Sequence, residues 1–284
     1  MLRIAHCYGI FLFLLPVLYL PSSTDESWSM PVQLTPVMFL IICPMLFLAG
    51  FVDSIGGGGG LISLPAYLLA GLPPHMAIAT NKLSSSCGSS LTTVRFLRHG
   101  LVNLRLAVPS VIAALVGATL GSRLSLLVSE DVLKYVLFSI LPIAAFFVLN
   151  RHLFQDRGSE KAVADRRTLL VCILSALIIG AYDGFYGPGT GTFLIIAFTV
   201  FARMSLSAAN AQAKVINLTS NLASLAVFLL QGQVLIPLGL AGAVCNMAGN
   251  YLGSGLALSK GSKIVRPIIL CVLLLLLLKL IFNF

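Results

Sequence analysis

Uncharged apolar stretches of membrane-spanning length recur along almost the whole sequence, and they limit the fold more than any other feature. A helix needs about 20 apolar residues to cross the hydrocarbon core of a bilayer. Charged residues make up only 10% of the chain, so it lacks the polar side chains that cover a soluble globular surface. A membrane β-barrel would show short alternating segments, whereas stretches such as VLLLLLLKLIF do not alternate. The sequence therefore predicts an all-α, polytopic helical membrane protein.

The basic residues fall in clusters between these apolar stretches, which is the pattern of cytoplasmic loops. The net charge of +9 therefore gives no reason to expect a nucleic-acid partner. The six cysteines and four histidines show no metal-ligand spacing, so neither a metal nor another cofactor is expected. Residues 1–30 place Arg3 before IFLFLLPVLYL, which fits a signal sequence or an anchoring helix, and the sequence leaves both open.

An internal repeat relates the two halves of the chain. FVDSIGGGGG and AYDGFYGPGTG each place an aspartate, Asp53 or Asp183, just before a cluster of glycines. Further along, Lys82 and Lys214 match at nearly the same spacing, and so do GATLGSRL and GNYLGSGL. Several matches in register indicate a duplication. One GxxxG pattern in each half predicts close helix packing; the glycines are Gly117 and Gly121 in the first half and Gly249 and Gly253 in the second.

Each half contains five apolar segments, and the second of the five is too short to cross a 30 Å core comfortably. The chain accordingly divides into an N-terminal segment 1–30, a first membrane repeat 34–150, a cytoplasmic linker 151–167 and a second membrane repeat 168–284. The predicted segments are 34–53, 61–72, 76–97, 104–127 and 132–149 in the first half, and 168–186, 192–202, 209–230, 234–256 and 264–284 in the second.

The positions of the basic clusters favour two repeats of opposite orientation. If every segment crosses, the basic linker 151–167, the Arg95–Arg105 region and the Lys260–Arg266 region all lie inside. An odd number of crossings per half makes the second repeat inverted. If the short segments were re-entrant, the halves would be parallel, and 21–33 would lie inside with no Lys or Arg. We therefore expect two inverted repeats, each with four full spans and one short broken segment.

Short, glycine-interrupted segments at matching positions of inverted repeats are the sequence sign of a transporter binding site. A broken helix leaves unpaired N–H groups and a positive dipole end, and glycine lets an anion approach them closely. Intramembrane ionisable and polar residues nearby extend the site. The candidate substrate-binding residues are Gly56, Gly57, Gly58, Gly59, Gly60, Asn81, Lys82, Ser85, Gly187, Gly189, Gly191, Gln212, Lys214 and Asn217.

Asp53 and Asp183 are the acidic residues outside the loops, and their role is either coupling or structural. In the structural alternative Asp53 pairs with Lys82 and Asp183 pairs with Lys214, or each carboxylate caps a broken helix. The lysines are expected to contact an anionic ligand, because a buried cation complements an anion. Both interpretations hold if ligand and carboxylate compete for the same lysine.

The motifs FVDSIGGGGGLISLPAYLLAGLPPHMAIATNKLSSSCGS and GAYDGFYGPGTGTFL resemble those of the sulfite exporter TauE/SafE family of bacterial membrane permeases. The resemblance extends from about Val37 to the C-terminus. It implies a multi-pass protein of the bacterial inner membrane that exports or takes up sulfite, a sulfonate or a related oxyanion. The two glycine-broken segments of the inverted repeats predict that transport occurs by alternating access.

The expected function is therefore anion transport without enzymatic activity, and the expected partners are a small anion and the lipid bilayer. A homodimer is left open. The alternatives are a passive anion channel and an intramembrane enzyme that uses Asp53 and Asp183.

Overall fold

The computed structural model describes residues 34–129 and 165–261, together with residues 263, 264, 267 and 268. These residues form α-helices joined by short connections, and no strand occurs among them. The helices are α1 (Pro36–Gly56), α2 (Gly60–Leu69), α3 (Pro74–Arg98), α4 (Leu104–Leu127), α5 (Arg166–Phe185), α6 (Thr190–Val200), α7 (Leu206–Leu230) and α8 (Ile236–Lys260). The prediction of an all-α fold is confirmed. The predicted segment 132–149, the N-terminal segment 1–30 and most of 264–284 lie outside the described residues.

Local sequence signals set the helix starts. Prolines occupy the first turn of α1, α3 and α8, where a backbone N–H would have no intrahelical partner. Asp165 caps α5 by accepting a hydrogen bond from the Thr168 backbone N–H at 2.9 Å, and its hydrogen bonds with Thr168 lower the pKa of the carboxyl. Ser205 caps α7 in the same way at Ala208.

The polarity of the bundle is reversed relative to a soluble protein. Large apolar side chains on its outside are strongly exposed, for example Leu40 at 77% and Val244 at 69%. The interior contains two apolar clusters together with buried lysine, aspartate, asparagine and serine side chains, and Lys82 and Lys214 are among its most buried large residues. An apolar exterior around a polar interior suits a bundle whose solvent is lipid and whose centre contains a polar site.

Helix lengths match the predicted alternation of full spans and short segments. α1, α4, α5 and α7 are long and apolar enough to cross a membrane, while α3 and α8 have 25 residues each and more polar sequences. α2 and α6 contain 10 and 11 residues, so each rises only about 15 Å along its axis. The short second segment predicted for each half is therefore present in both.

Helix packing follows the internal repeat. The most extensive interfaces join α4 to α5 and α1 to α8, and these two pairs correspond when the halves are exchanged. Among the next interfaces, α3 with α8 and α4 with α7 correspond in the same way, and α3 with α7 corresponds to itself. Each half therefore packs mainly against the other half rather than against itself.

The direction of neighbouring helices can be followed from their contacts. Along α3, Thr92 contacts Asn250 and Arg95 contacts Ser254, so α3 and α8 run parallel. α3 and α7 run antiparallel, because Thr93 contacts the Lys214 carbonyl whereas residues earlier in α3 lie opposite residues later in α7.

The GxxxG glycines lie in the two largest interfaces, as predicted. A Cβ on Gly117 or Gly121 would overlap the backbone of α5 at Leu177 and Ala181. A Cβ on Gly249 would overlap the Phe47 carbonyl of α1. These glycines bring the helix backbones into direct contact, which is the role that small residues have in membrane helix packing.

Candidate functional site

The two glycine breaks meet inside the bundle. Gly57 ends α1 with a φ of 76°, and Gly187 follows α5 with a φ of 98°, both in the left-handed region that favours glycine. Gly57 lies directly against Gly191, so that a Cβ on either residue would overlap the other backbone. The Thr192 hydroxyl also donates to the Gly56 carbonyl across the same contact at 2.7 Å. The two helix breaks, one from each half, are therefore in direct backbone contact.

Two buried ion pairs cross between the halves at this point. Lys82 Nζ lies 2.9 Å from Asp183 Oδ1, and Lys214 Nζ lies 2.7 Å from Asp53 Oδ2. The lysines are 2% and 0% exposed, so each cation depends on its carboxylate for charge compensation. The prediction that Asp53 pairs with Lys82 and Asp183 with Lys214 is wrong. The breaks pack against each other, and each carboxylate consequently faces the lysine of the opposite half.

Each carboxylate lies in the last turn of its helix, where the dipole is negative. Lys82 compensates both the Asp183 carboxylate and the negative end of α5, since its Nζ also donates to the Asp183 backbone carbonyl at 2.6 Å. The starts of α2 and α6 follow immediately, and neither N-cap glycine supplies a side-chain hydrogen bond. Positive helix ends without a capping side chain therefore lie beside the two ion pairs.

The surroundings of the two carboxylates differ. Asp183 accepts hydrogen bonds from the Thr190 hydroxyl at 2.8 Å and from the Ser220 hydroxyl at 2.5 Å. Within the described part of the chain, the Asp53 carboxylate has only a long 3.5 Å contact with the Ser89 hydroxyl besides its ion pair with Lys214. Asp183 is thus held by the network of its own half as well as by Lys82, whereas Asp53 depends mainly on Lys214.

A small polar cavity lies between these groups and has room for about one water molecule. Residues of both halves line it, and most of them belong to the predicted site. The predicted residues in the lining are Asp53, Gly57, Gly60, Asn81, Lys82, Ser85, Asp183, Gly187, Gly191 and Asn217.

Five other predicted residues adjoin the lining residues, in the chain or through a contact, but do not line the cavity. Gly59 faces the Asp53 side chain, and Gly189 begins α6 with a φ of 84°. Lys214 reaches the site through its ion pair with Asp53. Gly56 and Gly58 contribute backbone carbonyls that accept hydrogen bonds from Thr192 and Leu61.

Gln212 has a different position from the one predicted. Its side-chain oxygen accepts a hydrogen bond from the Asn103 backbone N–H at 3.3 Å, at the start of α4. Thr80, at the matching position of the first half, accepts a hydrogen bond from the Leu235 N–H at the start of α8. Gln212 and Thr80 therefore hold the starts of α4 and α8 in place. The structure does not bring Gln212 to the cavity.

Thr190 and Asn221 line the cavity outside the predicted substrate-binding set, although Asn221 belongs to the polar face of α7 that is predicted to extend the site. Thr190 opens α6 where the first half has Gly60, so the repeat gave no matching polar residue to compare with it. Asn221 follows Lys214 and Asn217 on one face of α7, and that spacing was a usable signal. Within residues 34–129 and 165–261, no cluster of His, Cys, Asp and Glu could hold a metal ion.

Comparison with known proteins agrees with this architecture. The family model of the sulfite exporter TauE/SafE matches residues 42–280. A probable membrane transporter protein of Sinorhizobium sp, ORF9, is 40% identical over 80% of this chain and 85% of its own length. The probable membrane transporter protein YfcA of Escherichia coli K12 is 36% identical over 87% of this chain and 91% of its own.

A further probable membrane transporter protein, from Haemophilus influenzae, is 39% identical over 78% of this chain and 86% of its own length. No solved structure matches the chain. Apolar helices of spanning length, a polar centre and a family match over most of the sequence lead to one conclusion. The chain is a multi-pass membrane transporter of the bacterial cell membrane and belongs to the sulfite exporter TauE/SafE family.

Proposed function

We propose that this protein is a secondary transporter of a small sulfur-containing oxyanion such as sulfite or a sulfonate. One observation carries the proposal: two fully buried lysines lie at the contact between two glycine-broken helices. Backbone N–H groups, positive helix ends and lysine side chains together make a site suited to a compact oxyanion. The substrate class follows from the name of the family, and the site chemistry is consistent with it.

The described cavity is too small for the anion, so transport requires a change of conformation. It has room for about one water molecule, and the charges of Lys82, Asp53 and Asp183 in its lining are already paired. We infer that the anion displaces the carboxylates from the lysines and that the repeats 34–150 and 168–284 then move relative to one another. The parallel direction of α3 and α8 and the antiparallel direction of α3 and α7 support inverted repeats, because re-entrant short segments would reverse both relations.

The charges of the site also bear on the driving force. Two lysines and two aspartates sum to zero, and an added monoanion would leave an uncompensated charge in a buried site. We propose that a carboxylate released from its lysine binds a proton, so that anion and proton move together. Asp53 is the better candidate for this role, since Asp183 retains hydrogen bonds from Thr190 and Ser220.

The proton step can be tested with methanesulfonate, which stays ionised across the working pH range. Acidifying the outside of proteoliposomes should accelerate its uptake by the native protein, and Asp53→Asn should abolish the acceleration. If the rate of methanesulfonate uptake by the native protein does not depend on the pH gradient, proton coupling is refuted, but the proposal of anion transport is not affected.

Transport itself is tested by uptake of labelled sulfite and of sulfonates into proteoliposomes. Lys82→Met and Lys214→Met should each reduce uptake at least about tenfold, because each substitution removes a charged lysine that donates a hydrogen bond to the anion in the proposed site. Lys260→Met is the matched control, since Lys260 is an exposed residue at the end of α8. Unchanged flux in both site variants would exclude these lysines from the binding site.

Two other functions make different predictions. A passive channel would show no saturation and no counterflow, whereas an alternating-access transporter shows both. An intramembrane aspartyl enzyme needs two carboxylates that share a proton. Here Asp53 and Asp183 do not share a proton, because each forms an ion pair with a separate lysine, and this arrangement favours transport over catalysis.

A further inference from the structure

A second, separate groove lies on the outer face of the bundle between α3 and α8. It measures about 560 Å³, and apolar side chains form its walls. Leu91 and Val94 of α3 face Met247 and Tyr251 of α8, and three of these four are strongly exposed, Val94 at 44%, Met247 at 38% and Tyr251 at 57%. The groove follows α3 from Cys87 to His99, about 18 Å along the helix axis. That length is close to the thickness of one leaflet of the hydrocarbon core.

One end of this groove is cationic. Arg95, Arg98 and His99 line it there, and among the described residues no acidic side chain lines the groove. Arg95 is held in place, because its guanidinium lies 4.6 Å from the centre of the Tyr251 ring and donates to the Tyr251 carbonyl and, at 2.8 Å, to the Ser254 hydroxyl. Arg98 is exposed at the last residue of α3. The groove thus combines an apolar channel with a positively charged mouth.

The corresponding face of the second half lacks this charge. Arg95, Arg98 and His99 correspond to Val227, Leu230 and Gln231 at the spacing that relates Lys82 to Lys214. The charge distribution predicts that the end of α3 lies at the cytoplasmic face and the end of α7 at the opposite one. Anionic lipid is concentrated on the cytoplasmic side. The second half has no counterpart of this basic mouth, which is predicted to lie where anionic headgroups attract basic side chains.

We propose that this groove is a binding site for an anionic phospholipid such as phosphatidylglycerol. The phosphate lies at Arg98 and His99, and one acyl chain lies along Leu91, Val94 and Met247. The charge of the mouth selects the headgroup, and the apolar walls accommodate the chain. Because α3 contains Lys82 and α8 packs on α1, a bound lipid stabilises the helices that surround the central site.

The test measures phosphatidylglycerol retained by the purified full-length protein by native mass spectrometry, in competition with phosphatidylcholine. The native protein should retain phosphatidylglycerol selectively. Arg98→Leu combined with His99→Gln, which introduces the residues of the second half, should weaken this selectivity about fivefold or more. Val94→Trp, which fills the groove without changing the charge, should reduce retention of the lipid.

Arg105→Gln is the matched control, because Arg105 is exposed in the same basic region but does not line the groove. It should leave selectivity unchanged. The proposal is overturned if the native protein shows no preference for phosphatidylglycerol, if the double variant keeps the preference, or if the control loses as much of it as the double variant. Unfolding midpoints in phosphatidylcholine nanodiscs show whether each variant is folded, and none of these readouts depends on anion transport.

Discussion

Replacing Gly57 by alanine tests the contact on which the site is built. Gly57 has a φ of 76°, and a Cβ there would overlap the Gly191 carbonyl carbon and the Thr192 nitrogen. These are backbone atoms of the other half, which cannot rotate away as a side chain can. Gly100 provides a matched control, because it has a φ of 68° but nothing within 4 Å of the added Cβ.

Both substitutions place alanine in a left-handed backbone conformation, but only Gly57→Ala also introduces a steric overlap. Alanine in the left-handed region costs about 1–2 kcal/mol relative to glycine, and this applies equally to both positions. Overpacking against a close-packed neighbour adds about 1–3 kcal/mol, and this applies to Gly57 alone. We therefore expect Gly100→Ala to lose about 1–2 kcal/mol of unfolding free energy and Gly57→Ala to lose about 2–5 kcal/mol.

Unfolding in detergent, followed by circular dichroism against denaturant, gives both values, and the same preparations give anion flux in proteoliposomes. Gly57→Ala should reduce flux strongly, because separating the breaks alters the distances from both lysines to their carboxylates. Gly100→Ala should retain flux close to that of the native protein. Equal losses of stability in the two variants would refute the argument that the two breaks are in direct contact.

The remaining predictions concern charge, packing and topology. Asp183→Asn leaves the Lys82 cation buried without a counter-charge and should cost about 3–5 kcal/mol of unfolding free energy. Adding Lys82→Met should restore part of that loss, and strictly additive losses in a double-mutant cycle would argue against the pair. Gly121→Leu should disrupt the α4–α5 interface and reduce the folded yield, and normal yield and stability would contradict the close contact. Cysteines introduced at Gln233 and Arg157 should react with impermeant reagents from opposite sides of the membrane, and labelling from the same side would exclude inverted repeats.

The elements that sequence predicts well here are those with local causes. Hydropathy over a window of residues locates α1, α4, α5 and α7, and their bounds differ from the predicted segments by only a few residues. Glycine and proline locate the breaks between α1 and α2 and between α5 and α6 for equally local reasons. The repeat then identifies equivalent residues, which is why so much of the cavity lining could be named in advance.

The partners of those residues depend on tertiary packing, which the repeat does not encode. Asp53 and Lys82 belong to the same half, and sequence proximity favours their pairing, yet each binds a residue of the other half. In the sequence, Gln212 cannot be distinguished from the other polar residues near Lys214, but its side chain binds the Asn103 backbone at the start of α4. Both differences arise from packing between the halves, since the two breaks meet at Gly57 and Gly191 and α7 packs against α4.

The crosswise pairing gives the proposed transport cycle a physical link between binding and movement. A ligand shifts a conformational equilibrium only by the difference between its affinities for the two states. If each lysine were paired within its own half, an anion could displace a carboxylate without changing any contact between the halves. Here Lys82–Asp183 and Lys214–Asp53 both join the halves, so an anion that displaces the carboxylates from the lysines removes two ion pairs between the halves. In the proposed cycle the anion therefore favours the state in which the halves are separated, and its release allows the crosswise ion pairs to form again.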